Sequence, residues 1–232
     1  MKVIGLLGGM SWESSAEYYR IINQLVRERV GLLNSAQILM YSVDFGPIEQ
    51  AQMAGRWDET GDMLSAAAKR LEAGGADAVF MCTNTMHKVS GAIEAALTIP
   101  FIHIADPVGE AARAKGWKKL GLLGTGFTME DGSIISGRLE SRFGLDVLTP
   151  PAEDRAIIHR VIYEELCAGV IKEESLSAYK RVVAGLAAQG AEAVVLGCTE
   201  ISLLIRQEHT DVPLLDTTAL HAAAAVEFAL TN

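Results

Sequence analysis

The sequence predicts an α/β protein of two pseudo-symmetric domains, each a parallel sheet flanked by helices, with an active site in the cleft between them. Three observations carry this expectation. Short apolar, β-branched runs alternate with longer stretches of helical period along the whole chain, the pattern of parallel sheets covered by helices. The two halves also repeat each other. Gly75-Ala76-Asp77-Ala78-Val79-Phe80-Met81-Cys82-Thr83-Asn84-Thr85 returns 115 residues later as Gly190-Ala191-Glu192-Ala193-Val194-Val195-Leu196-Gly197-Cys198-Thr199-Glu200. Ile4-Gly5-Leu6-Leu7-Gly8-Gly9 returns as Leu120-Gly121-Leu122-Leu123-Gly124-Thr125 at an offset of 116, and the Pro100 strand as the Pro213 strand at 113. Finally, the repeated strands end in polar residues, and beyond the carboxyl ends of parallel strands is where chemistry collects.

Residues 3–7 read as the first strand. Gly8-Gly9-Met10-Ser11-Trp12-Glu13-Ser14-Ser15 turns it into a helix, with Ser11 as N-cap and Glu13 suited to the dipole of the first turn. That helix runs through Tyr18, Ile21, Ile22, Leu25 and Val26. Residues 37–43 form the second strand, and Asp44-Phe45-Gly46-Pro47 reads as a turn. A polar helical stretch begins over 48–52, and a strongly periodic helix over 58–73 closes at Gly74-Gly75. The strand leading to Thr83 comes next, then a helix over 88–97 and a strand over 101–104. Asp106 is expected to cap a helix to about 115, with Pro107 at its first position. The second half repeats the plan with strands over 120–123, 146–148, 194–196 and 214–215. Its helices fall over 134–143, 153–167 and 174–188, and a last one runs over 219–230. Because that last helix follows the final strand, it is expected to cross back. The domains are therefore drawn as 1–105 with about 212–232, and 106–211.

Composition narrows the function. The chain has 232 residues, half of them hydrophobic, enough for two small cores. A formal net charge of −9 argues against nucleic acid or an anionic membrane as partner. No apolar run has the length to cross a bilayer, and the sequence enters its first strand with no signal-peptide pattern. Cys82, Cys167 and Cys198 fit neither a disulfide framework nor paired metal ligands, and His103, His159, His209 and His221 show no metal-site spacing. A soluble, reducing, cytoplasmic home with no metal site is the expectation.

Cys198 ends a strand where a reactive group would stand, although a small buried hydrophobe is the ordinary reading of a free cysteine. Together, Gly8-Gly9-Met10-Ser11-Trp12-Glu13-Ser14, Cys82-Thr83-Asn84-Thr85-Met86-His87, Leu123-Gly124-Thr125 and Gly197-Cys198-Thr199-Glu200 resemble the aspartate/glutamate racemase family over essentially the whole chain. The resemblance implies racemisation at Cα without pyridoxal phosphate or metal, in a homodimer. It implies two opposed catalytic cysteines, one directly before Asn-Thr and one before Thr-Glu, the second serving the L-enantiomer. It also implies that Asn84, Thr85, Thr125 and Thr199 hold substrate, and that Glu200 and His87 flank and tune the catalytic positions.

The pattern is broken at one place. Before Asn84-Thr85 stands Thr83, and the repeat pairs Thr83 with Cys198 and Cys82 with Gly197. Adjacent strand residues face opposite ways, so Cys82 is expected inside the sheet. Taking a proton from one face of Cα and returning it to the other needs a group on each side. A thiol can be brought into the working range by its surroundings, whereas a threonine hydroxyl can pass a proton but cannot be a resident base. Catalysis is accordingly assigned to Cys198 and Thr83, with L-substrate deprotonated well and D-substrate poorly.

Selectivity for the side chain is less sharply written. Relatives place a basic residue where Cys167 stands, which leaves a range broader than aspartate and glutamate open. Gln52 and Arg56 are candidates for the distal carboxylate, each equally readable as a solvated helix residue. Met10 is a candidate pocket residue or packing, and Asn84, Thr85, Thr125 and Thr199 taken singly are ordinary caps. Two rivals stay open: a single-cysteine decarboxylase of the arylmalonate type, and a non-catalytic small-molecule binding protein. A nucleotide-binding oxidoreductase is disfavoured, because Gly5-Leu6-Leu7-Gly8-Gly9 does not make the dinucleotide fingerprint.

Overall fold

The computed structural model describes residues 1–231, and its eight strands form two separate four-stranded parallel sheets. The first contains β1 (Ile4–Gly8), β2 (Ile38–Ser42), β3 (Ala78–Met81) and β4 (Phe101–Ile102) in the order β2-β1-β3-β4. The second contains β5 (Lys119–Gly124), β6 (Asp146–Leu148), β7 (Ala193–Gly197) and β8 (Leu214–Asp216) in the order β6-β5-β7-β8. The same order twice is what the internal repeat predicts.

In the first unit the chain adds α1 (Trp12–Val30), α2 (Phe45–Met53), α3 (Trp57–Ala73), a 3-10 turn Thr85–Val89 and α4 (Ser90–Ala96). Strand alternation divides the core into two layers. Ile4, Leu6, Ala78, Phe80 and Cys82 join Tyr18, Ile22 and Val26 of α1 on one side. Leu7, Val79 and Met81 join Leu64, Ala68 and Leu71 of α3 on the other. Each of these larger side chains contributes roughly 1.5–3 kcal/mol by leaving water. The parity places Cys82 fully inside the first layer, as expected from its register.

The second unit contains α5 (Ala105–Lys115), α6 (Gly126–Glu130), α7 (Ser136–Phe143), α8 (Ala152–Glu164), a 3-10 turn Leu166–Ala168, α9 (Glu173–Ala188) and α10 (Ile201–Leu204). Val194 and Leu196 of β7 pack with Ile158 and Val161 of α8 and Tyr179, Val182 and Val183 of α9. The last helix, α11 (Thr217–Leu230), starts where Thr217 donates its hydroxyl to the Leu196 carbonyl at 2.9 Å. Its Ala222, Ala225 and Val226 belong to the first unit's α1 layer.

Several sequence expectations are adjusted. Contacts divide the chain into Met1–Ile104 with Thr218 onward, and Ala105–Thr217. The return comes at 217–218 rather than near 212, because β8 pairs with β7 and keeps Val212 to Asp216 with the second sheet. Asp44-Phe45-Gly46-Pro47 is not a turn but the start of α2. Asp44 caps it by accepting the Gly46 N–H at 3.1 Å, and Pro47 is tolerated because first-turn N–H groups have no helical partner. Asp106 does not cap α5, which begins at Ala105. Its carboxylate instead takes both prongs of the Arg138 guanidinium, at 2.7 and 2.8 Å. Ser11 does cap α1, accepting the Ser14 N–H at 3.3 Å. Among the described residues no helix is long and apolar enough to cross a membrane.

Candidate active site

In each sheet the chain steps to one side after its first strand and to the other after its second, so β1/β3 and β5/β7 are switch points. The sequence-predicted residues fall at the carboxyl ends of these four strands or on the helices beside them.

In the first unit, Gly9 makes the turn after β1. Its φ is +97°, and a Cβ there would stand 2.3 Å from the Val43 carbonyl oxygen, so the glycine is needed for backbone packing. Its N–H is taken by Ser15 Oγ at 2.8 Å. After β3, Cys82 turns its side chain into the core and its carbonyl accepts the Ser14 hydroxyl at 2.8 Å. Burial pushes the Cys82 thiol far up, out of any working range. Thr83 is half-buried, and its carbonyl lies 2.8 Å from His87 Nδ1. Asn84 is only 5% exposed, yet its Oδ1 has no hydrogen-bond partner. An orphaned buried acceptor costs on the order of 1–3 kcal/mol, so it points to an occupant that supplies a donor. Thr85, half-buried, opens the following 3-10 turn.

Met10 packs in the α3-side core, the packing reading of that residue. Gln52 is buried on α2. Arg56 pairs with Glu59 at 2.9 Å with both side chains half exposed, the solvated reading.

In the second unit, β7 ends at Gly197, where a Cβ would sit 2.9 Å from the Leu123 carbonyl oxygen. Cys198 follows, half-buried against the α8/α9 core, and its Sγ–H donates to Glu200 Oε2 at 2.9 Å. Burial first, then the Glu200 charge and this hydrogen bond, hold the thiol well above its ordinary range, and Cys167 adds to the same effect. The thiol is therefore held protonated, with its S–H directed at the Glu200 carboxylate. Thr199 is half-buried beside it. Thr125, at the end of β5, accepts the Thr128 N–H at 3.3 Å and meets the Thr128 hydroxyl at 3.2 Å, so its oxygen is engaged as a helix cap.

Tyr179 of α9 escaped the sequence reading. It is fully buried, donates to the Ile158 carbonyl at 3.2 Å, and lies close enough to Cys198 for a charge there to raise its pKa, after burial itself. A tyrosine inside an apolar helix face carries no sequence signal of its partner. Cys167 is exposed on the turn after α8. The adjoining Glu165 is buried and ties that turn to α9, accepting from Ser175 at 2.5 Å, Arg160 at 3.2 Å and Lys172 at 3.3 Å. A cavity of about 680 Å³ between α6 and α8 includes Gly126 and His159 but neither Thr125 nor Cys198.

One consequence is measurable. Glu200→Gln removes the carboxylate that disfavours the Cys198 thiolate, so the Cys198 titration should move to lower pH. Alkylation of the Cys198 peptide by iodoacetamide, followed by mass spectrometry from pH 6 to 10, should show its half-rise shifted to lower pH. An unmoved or upward-shifted profile would refute the coupling.

Comparison with known proteins then adds an independent line. The family model for Asp/Glu/Hydantoin racemase matches residues 7–225. A Yersinia pestis protein proposed to be an Asp/Glu racemase is 50% identical, with all of both chains covered and a TM-score of 0.95. An aspartate racemase homologue from Pyrococcus horikoshii OT3 is 32% identical, again with all of both chains covered, at a TM-score of 0.88. The aspartate racemase of Picrophilus torridus, at 19% identity, shares the fold, with 99% of this chain and 94% of that one covered and a TM-score of 0.76.

Proposed function

Since this chain belongs to the Asp/Glu/Hydantoin racemase family, and is an isomerase of the racemase type, we propose that it racemises an acidic amino acid at Cα without an organic cofactor. Cys198 is the base for the L-enantiomer, and Thr83 stands on the other face of the carbon. The observation that carries this is the Cys198 Sγ–H held 2.9 Å from Glu200 at the end of β7, matched by Thr83 at the equivalent end of β3.

Each residue has a defined share of the work. The α-ammonium of a bound amino acid brings positive charge to a site whose own neighbours of Cys198 are acidic. Its arrival offsets the repulsion that keeps the thiol protonated, and Glu200 accepts the Sγ proton. The thiolate then takes the α-proton. The buried Asn84 Oδ1 accepts from the ammonium, and Thr85, Thr199 and strand-end backbone N–H groups bear the negative charge that develops toward the α-carboxylate. Thr125 contributes through its position at the β5 end, since its hydroxyl is engaged in capping. Gln52 is the remaining candidate for the distal carboxylate. Homodimerisation attaches to this reading through the family likeness alone, and a cytoplasmic home through the composition.

The test is proton exchange in heavy water. L-aspartate and L-glutamate should acquire deuterium at Cα at least tenfold faster than their D-enantiomers, because only one face meets a thiol. Equal rates from both enantiomers would overturn the assignment of Cys198 and Thr83. Release of CO₂ from a malonate-type acid without amino-acid exchange would replace it with the decarboxylase reading.

A further inference from the structure

Three histidines far apart in sequence are buried together in the first unit. His87 and His103 have ring centroids 4.4 Å apart, and His87 and His221 6.1 Å apart. All three are at most 1% exposed. His221 is held by Tyr18 Oη at Nδ1 and by the Ile102 carbonyl at Nε2, each 2.8 Å. None of them is used by the chemistry above.

The tautomers follow from the backbone partners. His87 Nε2 lies 3.1 Å from the Ile104 amide N, which can only donate, so Nε2 carries no proton. Burial, with His103 and His221 nearby, keeps the ring neutral, and its one proton is therefore on Nδ1. That N–H points at the Thr83 carbonyl, 2.8 Å away. One rigid ring thus spans two backbone groups. The first belongs to the residue that faces the substrate, and the second to Ile104, the last residue before the chain leaves the first unit.

We propose that His87 is a positioning residue for racemisation: its imidazole clamps the Thr83 carbonyl to the Ile104 N–H and so aims the Thr83 hydroxyl and the Asn84 amide. The proposal rests on the function assigned above. Besides the His87 ring, the turn is held by the His87 N–H, which donates to the Asn84 carbonyl at 3.0 Å; the Asn84 side chain makes no cap and its Oδ1 is unpartnered. A turn of this kind, left free to rotate, would misplace the hydroxyl by an ångström or more, an error costing up to about 10²-fold in rate.

The two bonds can be separated by substitution. His87→Asn places an amide N–H where Nδ1–H was and keeps the Thr83 bond while losing that to Ile104. His87→Gln reaches the Nε2 position and keeps the Ile104 bond while losing that to Thr83. The readout is a partition measured on L-aspartate in heavy water: D-product formed, divided by deuterated L-substrate recovered. Deuterated L-substrate reports return of a proton by Cys198, and D-product reports delivery on the Thr83 face. Because both quantities come from the same active molecules, the ratio is independent of how much enzyme is folded. His87→Gln should lower it about tenfold or more, and His87→Asn should stay within about threefold of the parent. An unchanged ratio in both variants overturns the proposal, and so does an equal fall in both, which would make His87 a packing residue. Absence of any Cα exchange in the parent protein would instead sink the racemase assignment itself.

Discussion

Cys198→Ala is expected to abolish deuterium exchange at Cα of L-aspartate and L-glutamate, lowering the rate by about 10³-fold or more. A positioned general base contributes 10²–10⁴, and here no second group can substitute. The side chains that shift Cys198 are Glu200, which holds its S–H, and Cys167, which is exposed on the turn after α8; Tyr179, itself shifted by Cys198, is tied to the Ile158 carbonyl. Glu165 is enclosed by Ser175, Arg160 and Lys172. A 10³-fold loss corresponds to about 4 kcal/mol of transition-state stabilisation. The fold should tolerate the change, because Cys198 is half-buried and water can take over its bond to the half-exposed Glu200, a cost of about 1 kcal/mol. Cys198→Ser should be nearly as inactive, since a hydroxyl does not ionise in the working range. Exchange within tenfold of the parent in the alanine variant, with the circular dichroism of the folded protein retained, would show that the base is another group.

How much of this could be read from the residues alone differs between backbone and side chains. The repeat at a spacing near 115 residues carried the sheet order, since two copies of one βα half must make two like sheets. Period-2 alternation was enough to turn Cys82 inward, while the pairing of Thr83 with Cys198 comes from the repeat. Ser11 as a cap was legible because capping is local. What escaped is long-range. Asp106 looks like a cap beside Pro107, and only the packing of α7 onto α5 brings Arg138 to it. The predicted helix over 134–143 is α7, beginning at Ser136, while the short α6 before it was not expected; between them lies a loop in which Asp131 accepts the Ser133 N–H. His103 and His221 read singly as structural or surface residues, and His87 as either a tuning residue beside the site or a capping or core-edge one. The return of α11 to the first unit was expected, but no local pattern announces that it brings His221 to His87.

Thr83→Cys should create the missing half of the pair and raise exchange from D-aspartate and D-glutamate by about 10²-fold, leaving the L-side rate within about threefold. Three features favour a reactive thiol there. Thr83 is half-buried, so the larger sulfur meets an open side rather than a closed core. Its counterpart of Glu200, taken 115 residues earlier, is Thr85, so no carboxylate opposes ionisation as one does at Cys198. The nearby imidazole, His87, is neutral and turned to the Thr83 carbonyl rather than to the side chain. A thiol near its ordinary pKa of about 8.5 is about a quarter ionised at pH 8, against essentially none for a threonine hydroxyl. D-side exchange should therefore climb with pH through that range, along a titration separate from that of Cys198, whose thiol is held higher by burial and Glu200. Combining the change with Cys198→Ala should invert the preference of the parent, giving an enzyme that exchanges the D-enantiomer and spares the L. If D-side exchange stays at the parent level in a folded Thr83→Cys protein, then Thr83 does not face the substrate carbon, and the equivalence drawn from the repeat fails at the one place where it matters for chemistry.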